Sequence, residues 1–135
     1  MDKVRIGIVG IGGMGSSHAA YLKKGDVKGA ELAAVADISG KALERAKKNL
    51  GEEVKRFESA EALLSAKCVD AIMIATPHYF HPPIGVLALE RGVHVMSEKP
   101  VGVYTKQARE LNEAADASGL IFGVMFNQRT LAAHR

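Results

Sequence analysis

Several short stretches of this 135-residue sequence hold residues whose types and spacing can do chemistry. Gly10, Gly12 and Gly15 stand in the spacing G-x-G-x-x-G inside "GIVGIGGMGSSH". Glycine loses the most backbone freedom on folding, so such a cluster marks a place where main chain must turn sharply or approach something closely. Between a strand and a helix, the first glycine permits the turn. The second lets the main chain approach a pyrophosphate, and the third lets the helix pack close. The helix start adds free N–H groups and a positive dipole end, both favourable to phosphate oxygens. Gly13 is slack that this spacing does not require.

Glycine-rich turns also serve packing alone, so the dinucleotide reading needs an acidic residue closing the second strand, ~20 residues on. Asp37 closes "ELAAVAD" in that place. A carboxylate there accepts hydrogen bonds from the adenosine ribose hydroxyls and repels a 2′-phosphate, which favours NAD over NADP. No Arg or Lys follows Asp37 directly, and Lys41 is already inside the next helix. The competing reading makes Asp37 a cap for the helix starting near Ser39. S-adenosylmethionine-dependent methyltransferases share a glycine loop and a strand-two acid, with a looser glycine pattern.

In open α/β sheets ligands lie beyond the carboxyl ends of the strands. Three further stretches fall there: "TPHYFHPP", "SEKPVG" and "FNQR". The sharpest is "EKP", Glu98 to Pro100. A lysine held near a nicotinamide can orient a substrate hydroxyl or share its proton. Taken alone, Lys99 reads more often as an exposed, inert lysine, and His81 more often as a helix-start cap.

The elements that must position these residues alternate along the chain. Continuous apolar runs of the kind buried on both faces predict strands over Val4–Val9, Glu31–Ala36, Asp70–Ala75, Val93–Met96 and Leu120–Met125. The more polar "VKRF", Val54–Phe57, suits a sheet edge. Helices are predicted over Ser16–Lys24, Ser39–Leu50, Ser59–Ala66, His81–Arg91 and Thr105–Ser118. Ser59 serves as an N-cap, and Gly51, Gly92 and Gly119 as terminators. Such alternation implies right-handed crossovers and an α/β fold. The expected architecture is a Rossmann-type doubly wound, mainly parallel six-stranded sheet in the order 3-2-1-4-5-6.

Bulk composition narrows the classes. Against 18 Lys+Arg stand 15 Asp+Glu, and the excess is spread over helix-like stretches without interleaved aromatics, which argues against nucleic-acid binding. The single Cys68 excludes an internal disulfide and reads as a packed thiol. No run approaches the ~18 apolar residues of a membrane span, and the glycine-broken start is no signal peptide. The expected setting is cytoplasmic.

With these pieces in place, the sequence resembles the N-terminal domain of the glucose-fructose oxidoreductase / inositol dehydrogenase (Gfo/Idh/MocA) family. The resemblance rests on "GIVGIGGMGSSH", "VADIS", "ATPHYFH", "HVMSEKPVG" and "VMFNQR", which follow the family's order over nearly the whole chain. It implies that Gly10, Ile11, Gly12, Gly13, Met14 and Gly15 hold the pyrophosphate and Asp37 the adenosine ribose. Thr76 and Pro77 would lie along the nicotinamide half, Glu98 and Lys99 near its ribose, and Lys99 at the substrate. Asn127 would border nicotinamide and substrate, and His81 would stand near the cofactor. His78 replaces an asparagine frequent in the family, and His18 matches a frequent residue expected to pack behind the loop.

The implied activity is hydride transfer between nicotinamide and a sugar, polyol or related hydroxyl compound, with no metal. Members of the family continue into an α+β domain that completes the substrate pocket, and this sequence reaches Arg135 just after "FNQR". The expectation is an NAD-binding domain over residues 1–135 with little turnover by itself, exposing an apolar patch at Leu131 to Ala133 that favours self-association. The alternative is a non-catalytic dinucleotide-binding module, such as a redox sensor or a subunit completed by a partner; a third reading is a scaffold without ligand.

Overall fold

The structure is a computed structural model, and it describes residues 2–134. Its strands are β1 (Val4–Val9), β2 (Ala30–Ala36), β3 (Lys55–Phe57), β4 (Ala71–Ile74), β5 (His94–Ser97) and β6 (Phe122–Val124). Its α-helices are α1 (Gly13–Lys24), α2 (Gly40–Leu50), α3 (Ala60–Ser65), α4 (His81–Glu90) and α5 (Thr105–Ser118). Every strand pairing is parallel, in the order β3-β2-β1-β4-β5-β6. The expected sheet is the observed one, with the polar strand at an edge.

Strand geometry sends alternate residues to opposite faces, and two cores result. Ile8 and Val35 face α1 and α2 and pack with Ile11, Ala19, Leu22, Ala42, Ala46 and Leu50. Val9, Ala34, Ala36, Ile72, Ile74 and Val95 join the other core with Leu63, Leu64, Ala88, Leu89 and Leu111 from α3, α4 and α5. Ala42, Ala46 and Leu50 recur every four residues, which places one buried stripe along α2. Cys68 is a buried free thiol, as its surroundings in sequence imply.

Local signals behaved as chemistry dictates at most helix ends. The Ser39 and Ser59 hydroxyls accept from the main-chain N–H of Ala42 and Ala62. Gly25 and Gly119 close α1 and α5 in the left-handed conformation. Two expectations need correcting. α1 begins at Gly13, not Ser16, because close packing at Gly15 outweighs the poor helix propensity of glycine. His81 opens α4 without capping it; its ring is taken up elsewhere. No helix among the described residues is long and apolar enough to cross a membrane.

Candidate functional site: the carboxyl end of the sheet

The glycine loop leaves β1 at Gly10, whose φ of +87° favours glycine. A side chain there would also meet the main chain of Ala75 and Thr76 at 2.8 Å. At Gly15 a Cβ would stand 1.8 Å from the Gly10 carbonyl oxygen, so α1 sits against the loop with no room for a methyl group. Gly12 is different: a Cβ there would meet nothing within 4 Å. Glycine at 10 and 15 is required by the protein's own packing, whereas Gly12 and Gly13 border open space. Gly12 caps α1 without a side-chain bond. The first-turn N–H groups of Gly13, Met14 and Gly15 therefore lack the intrahelical acceptors that later residues have.

Ile11 is the anchor of this loop. Its side chain is buried in the α1–α2 core, so the residue contributes main chain, not side chain, to the site. Its carbonyl accepts from Ser16 Oγ at 2.9 Å and Arg45 Nη2 at 3.1 Å. Its N–H donates to Asp37 Oδ2 at 2.9 Å, while Asp37 Oδ1 accepts from the Ser39 N–H at 2.8 Å. The carboxylate thus fastens the loop after β1 to the start of α2. Each carboxylate oxygen can accept a further donor, so this bracing leaves capacity for ribose hydroxyls. Of the two readings of Asp37 open in the sequence, the helix cap falls to Ser39, whose own hydroxyl caps α2 while Asp37 holds the Ser39 N–H.

A cleft of ≈ 300 Å³ opens at this end of the sheet. Its walls include Gly10, Gly12, Asp37, Ile38, Thr76 and Pro77, with Phe80 beyond. Ile38 is 91% exposed and Phe80 53% exposed. These two open side chains make an apolar slot beside the Asp37 carboxylate. The sequence reading passed over Ile38 and Phe80, although an isoleucine directly after the strand-two acid was visible in "VADIS".

Glu98 and His18, 80 residues apart, form a pair: Nε2 of His18 lies 2.7 Å from Glu98 Oε1, with the side chains only 17% and 12% exposed. Glu98 Oε2 also accepts from the Lys99 N–H at 3.3 Å. His18 is therefore not merely packed behind the loop; it orients the acid of "EKP" from α1. Lys99 is exposed, and its ammonium enters no ion pair among the described residues.

His81, which the resemblance places near the cofactor, turns its ring inward. It is 0% exposed, with Nδ1 2.7 Å from the Pro100 carbonyl oxygen and Nε2 2.8 Å from that of Thr76. The prolines after it hold the first turn of α4 and the ring points inward, so it ties the turn after β4 to the segment after β5. His78 is exposed on the short 3₁₀ turn His78–Phe80, its ring edge-on to His81 at 5.7 Å. Asn127 is exposed at the start of the 3₁₀ turn Asn127–Thr130 that follows β6. No group of three or more His, Cys, Asp or Glu fit to hold a metal occurs among the described residues.

A dinucleotide-binding end of a parallel sheet is what this geometry describes, and comparison with known proteins agrees. The model of the Gfo/Idh/MocA oxidoreductase family, NAD-binding Rossmann fold, matches residues 4–126. The chain belongs to this family. It is 36% identical over 117 residues to inositol 2-dehydrogenase 4 of Saccharopolyspora erythraea, covering 87% of the chain and 34% of that protein. Glucose-6-phosphate 3-dehydrogenase of Bacillus subtilis is 31% identical over 128 residues, covering 95% and 35%. The crystal structure of scyllo-inositol dehydrogenase from Lactobacillus casei, with bound NAD(H) and scyllo-inositol, superposes with a TM-score of 0.91 at 30% identity, covering 98% of this chain and 38% of that one. The chain spans about a third of the length of the curated relatives it matches.

Proposed function

We propose that this chain binds NAD across the carboxyl end of its sheet and provides the cofactor-binding part of a dehydrogenase for a polyol, sugar or related hydroxyl compound. The observation that carries the reading is the convergence of the glycine loop, Asp37 and the apolar slot at Ile38 and Phe80 on one cleft. The free N–H groups of Gly13, Met14 and Gly15 face the need of a pyrophosphate, with Gly10, Ile11 and Gly12 shaping the approach. Asp37, already holding Ile11 and Ser39, accepts the adenosine ribose hydroxyls and opposes a 2′-phosphate, so NAD is preferred to NADP. Thr76, Pro77, His78 and Asn127 border the nicotinamide half, and Glu98, oriented by His18, its ribose.

Bound there, the dinucleotide supplies a nicotinamide carbon that gives or takes a hydride. The chain's part is to position: Lys99 Nζ hydrogen-bonds the substrate hydroxyl and helps its proton leave. A small hydroxylated compound is the substrate class, since the named relatives act on inositols and a sugar phosphate. Further residues must wall the substrate, because a cleft open on one side neither excludes water nor fixes a reacting carbon. Turnover by these residues alone is correspondingly small. Leu131 is 54% exposed beside exposed Ala132 and Ala133, and we place self-association there, which sedimentation at increasing concentration tests.

Titration of NADH fluorescence tests the central claim. Saturable binding is expected, weakened about tenfold or more by Asp37→Ala through loss of charge-assisted hydrogen bonds. The same variant should lose its preference against NADPH. Absence of saturation up to millimolar NADH overturns the reading.

A further inference from the structure

His81 and Ser97 are the fully buried polar side chains among the described residues, and His81 alone bridges two segments of the site. Both atoms that its ring nitrogens meet are main-chain carbonyl oxygens, which can only accept. A neutral imidazole carries one N–H, and its other nitrogen is itself an acceptor. In either neutral tautomer, one contact would set a nitrogen lone pair against a carbonyl oxygen at hydrogen-bond distance, out of reach of water. A ring with N–H at both nitrogens satisfies both. The distances of 2.7 and 2.8 Å also fall below the usual N–H···O length and within the range of bonds from an ionised donor.

We propose that His81 is held in the folded chain as a doubly protonated imidazolium, a two-pronged donor that fixes the main chain of Thr76 and Pro100. Lys99 immediately precedes Pro100, so His81 acts as a positioning residue for it from behind the cleft. That consequence for Lys99 rests on the proposed dinucleotide function, whereas the proton count on the ring does not. Burial of the charge and the amino end of α4 both oppose a cation there. The helix contributes only a partial charge spread over its first turn, against two direct contacts to carbonyl dipoles. His78 faces the ring edge-on from the preceding turn, and Glu98 and Lys99 precede Pro100 in the segment that its Nδ1 meets. The Glu98 carboxylate is taken by His18 from α1, so it does not bond the ring.

Long-range ¹H–¹⁵N spectra of the ¹⁵N-histidine-labelled chain at neutral pH test the proposal directly. The His81 ring is expected to show two protonated nitrogens whose protons exchange slowly with water. One protonated and one bare nitrogen would overturn it. The signal is assigned by its loss in His81→Gln or, if that variant does not fold, by removing His18, His78, His94 and His134 in turn. The glutamine amide can donate to only one of two carbonyls at these positions. In folded His81→Gln the main-chain amide signals of Thr76, Lys99 and Val101 should therefore move, and unchanged signals would overturn the positioning role. Neither readout requires NADH, so failure of cofactor binding and failure of this proposal are distinguishable.

Discussion

The two ends of the parallel sheet are fastened by different means. At the amino end, side chains tie strand to strand. Arg5 in β1 meets Asp70, just before β4, through its main-chain N–H at 2.8 Å and its guanidinium at 3.1 and 2.7 Å. The Asp70 carbonyl accepts from the His94 N–H, and the His94 ring accepts from the Ile121 N–H at 3.0 Å. At the carboxyl end, side chains tie loops to loops and helices instead: Asp37 to Ile11, Arg45 to Ile11, His18 to Glu98, His81 to Thr76 and Pro100. The first arrangement aligns strands. The second rigidifies main chain behind a cleft while leaving first-turn N–H groups and the Lys99 ammonium unoccupied by the fold. Preorganised donors of this kind are what a site needs, and they arise where strand pairing has ended.

Substitutions at the two ends should therefore fail differently. The largest effect is expected at Gly15→Ala, whose methyl group would overlap the Gly10 carbonyl oxygen. Backbone cannot yield as a side-chain tip can, so overpacking of about 3 kcal/mol is expected, together with loss of NADH binding. Urea unfolding and NADH titration report both. A Gly15→Ala chain with unchanged stability would mean that α1 does not depend on this contact.

Gly12→Ala sharpens the contrast within the same loop. Its φ of −70° is open to any residue, and an added methyl group meets no protein atom within 4 Å. Stability should change by less than about 1 kcal/mol, the difference in main-chain entropy. NADH affinity should nonetheless fall about tenfold or more, because the methyl group occupies the space offered to the pyrophosphate. Equal losses of stability and affinity would erase the distinction between a glycine kept for folding and one kept for a ligand.

His18 and Glu98 come next. Singly, His18→Ala and Glu98→Ala should each cost about 1–2 kcal/mol, since each leaves a mostly buried polar partner unpaired. The double variant should fall short of the sum by about 1 kcal/mol, the signature of a direct contact. Additive losses in urea unfolding would show that Glu98 is oriented by something other than α1.

These contrasts also explain what could be read from the sequence. The apolar runs around Ile8, Val35 and Ile72 announce strands covered on both faces, and the glycine spacing with Asp37 announces the loop. Each of those signals is local, or is fixed by the crossover rule. The contacts that make the site rigid are not local. His18 and Glu98 meet because β1 and β5 flank β4 in the sheet order, and no periodicity reports which side chains converge where strands end. The inward direction of the His81 ring was hidden for a related reason: it depends on one carbonyl contributed five residues earlier and another contributed 19 residues later. The start of α1 at Gly13 was hidden because propensity argues against a helix beginning in glycines, and packing overrides it.

The smallest effect belongs to the amino end. The Arg5 guanidinium and main-chain N–H, through hydrogen bonds, hold the Asp70 carboxyl below its ordinary value of 3.8. A carboxyl lowered in the folded state adds stability that is present above its unfolded value and is lost as pH falls through the folded one. Both side chains are more than a third exposed, at 45% and 41%, so solvent screens most of this contribution. Asp70→Asn should lower Tm by a few degrees at most near neutral pH, with the difference from the parent chain shrinking below about pH 4. Raising salt should shrink it too, since exposed charges are screened. NADH affinity should stay unchanged, because this lock lies at the opposite end of the sheet from the glycine loop. A weakened NADH titration in Asp70→Asn would mean that strand alignment at one end reaches the cleft at the other, and the two ends could no longer be treated as separate devices.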